Sequence, residues 1–345
     1  MDRRALLKLG LATSVGTSLS TSLGLSSASA ATPPADKVRE AIDRGLAYLV
    51  SKQSRIGAWS DPSHQVAITA LAGTALICSG STTTQGPHAK AIRFCVDFML
   101  GKCRRNGLIG SSSEQRYTYG HGFAMLFLSQ VIGEEEDVDR REELVQALER
   151  AVKFSVNAQT KAGGWGYVSG GDFDEGSTTI TQVQGLRGCR NAGIVVPKAV
   201  IEKAKKYIYK CQNSDGGIKY SFESGGGDSR VAITAAALAA LYNAGDYESK
   251  YVPPMWNYCK KHLHDVGSLS NASWWHYSYL YYAQVVYRRG PDVWDPFRDQ
   301  LVKRLLRKQK DDGRWATDDM GGIYPTSINL IILQLDFGYL PIFQR

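Results

Sequence analysis

The sequence is short of features that would announce a chemistry. Its six cysteines and six histidines include no Cys-x-x-Cys and no histidine pair one helical turn apart, so a structural zinc site has no support. No apolar run is long enough to span a membrane. The net charge of +8 comes from scattered residues and not from a dense basic block, which argues against nucleic acid as a partner. Gly225-Gly226-Gly227 lacks the following Gly-Lys-Ser/Thr of a phosphate loop, and no motif calls for a cofactor. What remains is an ordinary globular mix, 43% hydrophobic and 21% charged over 345 residues. It excludes a disordered or fibrous chain and leaves room for one large domain.

The first thirty residues read as an address. Arg3-Arg4 precedes Ala5-Leu6-Leu7-Lys8-Leu9 and a mild apolar run, and Ala28-Ser29-Ala30 offers a small-x-small cleavage site. The adjacent arginines resemble a twin-arginine signal, a route for proteins folded before export. The expectation is a signal over 1–30, a mature domain over 36–345, and a periplasmic or extracellular location. Cys78, Cys95, Cys189, Cys211 and Cys259 nevertheless sit in helical, largely apolar patterns, and a chain of this size needs no staples. Buried free thiols are therefore expected.

The dominant signal is a repeat. Gln53 has Gly57 four residues on and Trp59 six residues on; Gln159 has Gly163 and Trp165, Gln212 has Gly216 and Ile218, and Gln309 has Gly313 and Trp315. Cys103, with Gly107 and Ile109, and Leu263, with Gly267 and Leu269, are degenerate copies that fill the gaps. Six units of about fifty residues result. Each anchor ends an amphipathic stretch, such as Val38, Ile42, Leu46 and Leu49, and the glycine at offset four turns the chain. A more apolar helix follows every turn, at roughly 64–79, 119–132, 177–192, 229–244, 274–288 and 326–335. Helices apolar on most faces belong between layers and amphipathic ones outside. The expected fold is all-α: six helix pairs in two concentric rings, the second helix of each pair inside. Ile331-Ile332-Leu333 and Leu340-Pro341-Ile342-Phe343 make an unlikely solvent-facing cap, so a closed ring is preferred to an open solenoid.

Arg44-Gly45, Tyr48-Leu49, Gln53, Gly57 and Trp59 resemble the glutamine–tryptophan repeat of squalene and oxidosqualene cyclases. Arg150-Ala151, Phe154, Gln159, Gly163 and Trp165 match nearly as well. The chain is therefore similar, over residues 36–345, to the prenyltransferase and squalene-cyclase repeat proteins of the terpenoid cyclase superfamily. The resemblance implies an (α/α)6 toroid in which Gln53, Trp59, Gln159, Trp165, Gln212, Gln309 and Trp315 are structural. It also implies an apolar, isoprenoid-like ligand or lipid in a central hollow. The zinc ligands of the protein prenyltransferases, an Asp-x-Cys with a distant histidine, have no counterpart on the inner helices.

Three constellations point to that hollow. Asp172, Asp174 and Glu175 match the buried acid motif with which the cyclases of this resemblance protonate an alkene, except that glutamate stands last and Gly171 replaces a proline. Such an acid must keep its proton near neutrality, which crowding and burial achieve. In that reading Asp174 donates while Asp172 and Glu175 tune it; the competing reading makes these acids caps of the helix beginning near Ser177. Residues 274–282 are aromatic on nearly every face, and Trp275, Tyr279 and Tyr282 form one stripe, with His276 beside it. This stripe either lines the hollow and faces a cation or packs the core. Tyr117, Tyr119 and His121 open the second inner helix, where His121 and His276 either project into the ring mouth or are satisfied polar residues of the fold. Two other readings stay open: an envelope module that docks another protein or touches a membrane surface, and an exported glycan-active lyase or hydrolase. For the latter the suggestive residues are His64, Asp228, Asp318 and Asp319.

Overall fold

In the computed structural model, described over residues 35–59, 64–111, 114–171, 173–222, 227–266, 274–316 and 321–344, helices alternate along the chain in six pairs. The first members are α1 (Ala35–Lys52), α3 (Ala89–Gly101), α5 (Val138–Ala158), α7 (Lys198–Lys210), α9 (Val252–Leu263) and α11 (Pro291–Lys308). The second members are α2 (Gln65–Ile77), α4 (Tyr117–Val131), α6 (Gly176–Asn191), α8 (Val231–Asn243), α10 (Trp275–Arg288) and α12 (Ile323–Leu333). The expected leader over 1–30, and with it Asp172, Gly225, Gly226, Asp318 and Asp319, lies outside the described residues.

Each second helix packs against the next, and α12 returns to α2, so six helices close an inner ring. α1 packs against α11 and α12 and closes the outer layer. From α2 to α12 the inner helices are buried round nearly their whole circumference, whereas the outer helices bury one stripe, such as Ile42, Leu46 and Leu49 of α1.

The glutamine–tryptophan repeat is a recurring set of hydrogen bonds between neighbouring units. The Gln53 amide donates to the carbonyls of Gly57 and of Ala91 in the next outer helix. Gln159 does the same with Gly163 and Val200, and Gln212 with Gly216 and Tyr251. Gln309 bonds Gly313 and reaches Ala41 of α1, so the last unit clasps the first. The ring nitrogens of Trp59, Trp165 and Trp315 donate to the carbonyls of Leu49, Ser155 and Leu305, ten residues back in the preceding outer helix. Their backbone N–H groups end on threonines of the following inner helix, Thr69, Thr179 and Thr326. The glycine at offset four has two reasons to be glycine. Gly57 has φ +86°, and a Cβ there would lie 2.0 Å from the Phe94 carbonyl; Gly313 has φ +86° and would meet Arg44 in the same way.

All six cysteines are free; Cys103 is half-buried and the other five are buried, with burial pushing those thiols up.

Candidate functional site

Because the inner helices run parallel, their N-termini gather at one end of the ring and their C-termini at the other. The C-terminal end is closed. Beyond α12 the tail carries buried Leu340, Ile342 and Phe343 back under α6. The Ile342 N–H donates to Gln130 of α4, and Arg288 of α10 donates to the Ile342 carbonyl and to Asn243 of α8. Higher up, Gln184 of α6 donates to Gln284 of α10 at 3.0 Å. Those helices are not neighbours, since α8 stands between them, so this bond crosses the interior. The open hollow expected along the axis is therefore interrupted, and the half-buried Tyr119 and Tyr324, at the N-terminal ends of α4 and α12, mark a recess on the other side of that bond.

Tyrosines line that recess. Tyr119 of α4 and Tyr324 of α12 keep some accessible surface although burial pushes both phenols well up, which marks them as walls of a concavity. Deeper lie Tyr277 and Tyr281 of α10, packed edge to face with ring centroids 4.8 Å apart. The four phenols come from three helices, two of them on opposite sides of the ring, yet they stand close enough to hinder one another's ionisation. The Tyr277 and Tyr281 hydroxyls are both buried and reach no other residue: Tyr277 eases the ionisation of Tyr281 as a donor, but the two stand short of a full hydrogen bond. Such groups cost about 1–3 kcal/mol each when left unsatisfied, and they are ready donors for an incoming polar atom.

Glu175 lies behind these phenols, within electrostatic reach of them. It is fully buried and is the N-cap of α6, its carboxylate accepting from the Ser177 and Thr178 N–H groups and from the Ser177 hydroxyl. Burial raises its pKa; the hydrogen bonds from Thr178 and Ser177 oppose the rise without cancelling it. Its charge reaches the phenols of Tyr119, Tyr277, Tyr281 and Tyr220. The cap and the acid of the sequence reading are thus one residue. Asp174, the expected donor, turns the other way. Its Oδ1 accepts from Tyr207 of α7, Ser221 and the Phe222 N–H, and its Oδ2 is buried without a partner. It ties the loop before α6 to the outer layer.

The remaining expected residues divide in the same manner. Trp275, Tyr279 and Tyr282 do share a stripe of α10, but it faces outward: Tyr279 donates to the Leu263 carbonyl, Tyr282 bonds His264, and Arg304 of α11 lies over Trp275. The inward stripe is Tyr277, Tyr281, Gln284 and Arg288. The stripe expected to line the hollow is thus the outward one, which carries three aromatic residues against two on the inward face. The signal that separates them is the polar continuation, Gln284 and Arg288, where the outward stripe continues to Val286. Tyr324, Tyr167 and Tyr220 were missed because each lies at a helix start or in a loop, outside any aromatic run. Tyr117 bonds Ser169 and anchors a rim loop. His64 meets Tyr119 edge-on at 6.4 Å and so reaches the recess, whereas Asp228 is exposed. His276 bonds Asn329 of α12 and lies edge-on to Tyr324. Among the described residues no group of acids, histidines and cysteines could hold a metal ion.

His121 is a structural residue of the wall. Its Nδ1 accepts from the Ile109 N–H at 3.0 Å, so its Nε2 carries the proton and donates to the Ala151 carbonyl at 3.2 Å. Burial lowers its pKa to about 4, and that of His276 also to about 4. The unfolded chain takes up these protons near pH 6.5, before the folded one does. Stability is therefore expected to be complete above about pH 6.5 and to fall as the pH drops toward 4, by about 3 kcal/mol for His121 alone. Urea denaturation at pH 7.5, 6 and 5 checks this; an unchanged midpoint would mean that the histidines are not held neutral.

No family model and no curated protein sequence matches the chain. Solved structures do. The fold is that of the α/α toroids. An α-1,6-mannanase, GH76A of Salegentibacter sp. HEL1_6, aligns with a TM-score of 0.65 and 7% identity over 86% of this chain and 98% of the mannanase. A D-mannose isomerase aligns with a TM-score of 0.61 and 12% identity over 88% of this chain and 99% of the isomerase. A type II terpene cyclase from Scytonema is 14% identical over 86% of this chain and 96% of the cyclase, at a TM-score of 0.38. At these identities the likeness is one of fold. The mannanase and the isomerase show the expected all-α toroid, and its particular repeat type rests on the motif alone.

Proposed function

We propose that this toroid binds a saccharide unit in the recess and acts on it through Glu175. The observation that carries the reading is the pair of buried, unpartnered hydroxyls of Tyr277 and Tyr281 beside a buried acid. A hydrocarbon would leave these groups unsatisfied, whereas a hydroxylated ring would bond them. Exposed aromatics at the same end, Trp274 just before α10 and Phe173 just before α6, offer flat apolar surfaces to sugar rings. The larger neighbours in fold similarity, a mannanase and a mannose isomerase, are consistent with a sugar ligand and support it only as analogy. Glu175, holding its proton above the usual carboxylate range, would protonate a departing or carbonyl oxygen of the bound sugar.

The isoprenoid reading has one observation in its favour. An acid that retains its proton is also what alkene protonation needs, and four phenol rings would face the resulting cation. The two readings part on one experiment. Wild type and the Tyr277→Phe, Tyr281→Phe double variant are titrated calorimetrically with mannotriose and with solubilised squalene, and their melting temperatures are recorded. The saccharide reading expects mannotriose binding that weakens about tenfold or more in the double variant, while the melting temperature stays level or rises because unsatisfied hydroxyls are gone. Binding of squalene alone, undiminished by the double substitution, would overturn it in favour of the isoprenoid reading.

A further inference from the structure

Two arginines stand at the mouth of the recess and, among the described residues, form no ion pair. Arg116 immediately precedes α4 and Arg230 immediately precedes α8, so they flank the start of α6, where Glu175 caps the helix. Each guanidinium lies over a phenol ring: Arg116 over Tyr167 at 4.7 Å and Arg230 over Tyr220 at 4.8 Å from the ring centre. The hydroxyls of Tyr167 and Tyr220 bond each other, which joins all four side chains into one arch. The arch is continuous with the recess, because Tyr167 stands within electrostatic reach of Tyr119, and Tyr220 of Glu175.

Both arginines are exposed, and among the described residues neither takes part in an ion pair. Stacking on an aromatic face holds a guanidinium flat and leaves its edge donors free, the presentation that pairs with a planar oxyanion. Stacking is itself worth about 0.5–1 kcal/mol to an exposed arginine, and it leaves the guanidinium edge available to a second partner. The unpartnered hydroxyls of Tyr277 and Tyr281 lie below, and the parallel inner helices turn their positive ends to the same side.

We propose that the ligand is an acidic saccharide whose ring carboxylate is gripped between Arg116 and Arg230 while its hydroxyls reach Tyr277 and Tyr281. This rests on the saccharide reading above and adds the charge. A carboxylate attached to a sugar ring places one planar oxyanion beside several hydroxyls, matching a forked pair at the rim over phenols deeper in.

The test is a calorimetric titration of wild type, of Arg116→Gln with Arg230→Gln, and of Arg116→Lys with Arg230→Lys. The probes are trigalacturonate, neutral mannotriose and inorganic pyrophosphate, each at two salt concentrations, and circular dichroism confirms the fold of each variant. Trigalacturonate is expected to bind wild type more tightly than mannotriose does and to weaken with salt. Its affinity falls about 10- to 100-fold in the glutamine variant and less in the lysine variant, while mannotriose binding is unchanged. Equal trigalacturonate affinity in wild type and the glutamine variant overturns the proposal, and so does tighter binding of mannotriose than of trigalacturonate. Binding of pyrophosphate with neither sugar overturns the saccharide reading itself. Mannotriose binding without a preference for trigalacturonate overturns only the charge.

Discussion

Replacing Trp165 by alanine is expected to lower the unfolding free energy by about 4 kcal/mol. The indole is fully buried, its Nε1 donates to the Ser155 carbonyl at 2.8 Å, and its backbone N–H meets the Thr179 hydroxyl at 3.0 Å. It therefore touches the end of α5, the turn and the start of α6 together. Alanine keeps the backbone bond but leaves a cavity that those elements cannot all close. Trp165→Phe separates the two contributions: it keeps most of the volume and loses the bond to Ser155, so a smaller loss of about 1–2 kcal/mol is expected. Equilibrium urea unfolding reads both. If alanine costs less than about 1 kcal/mol, the repeat tryptophan is not the anchor that its hydrogen bonds imply.

The ring was legible because its cause is local and repeated. A glutamine that must reach the next outer helix recurs in four units, and a glycine that must let that helix approach recurs at the same offset in all six, so the copies reinforce one another. The site was less legible because it has no repeat. Tyr119, on α4, was found because it opens an inner helix at the expected end. Tyr277 and Tyr281 were hidden within a run where every face of α10 is aromatic, and only ring closure says which face looks inward. Glu175 and Asp174 are adjacent in sequence, yet one caps α6 and faces the phenols while the other bonds Tyr207 of α7. Successive residues entering a helix point to different sides, so an acid motif read as a unit divides between two layers.

Substituting glutamine for Glu175 is expected to reduce turnover of a bound substrate by 10²- to 10⁴-fold, the usual share of a positioned acid. Glutamine offers one oxygen where the carboxylate uses two, Oε1 for the Thr178 N–H and Oε2 for the Ser177 N–H, so α6 keeps one of its two cap bonds, whereas Glu175→Ala loses both at about 1 kcal/mol. The stability of the glutamine variant supplies a control with a definite sign. Glu175 holds its proton more tightly in the folded chain than in the unfolded one, so the wild type loses stability as the pH rises from the ordinary glutamate range through the raised value. Glutamine cannot ionise and escapes that loss. Above that window the escape from this loss offsets the missing cap bond, so the variant should stay within about 1 kcal/mol of the wild type while being far less active. A variant that loses stability and activity together would assign Glu175 to the helix cap alone. A variant that keeps full turnover would remove it from the chemistry, leaving the recess a binding site whose acid serves the fold.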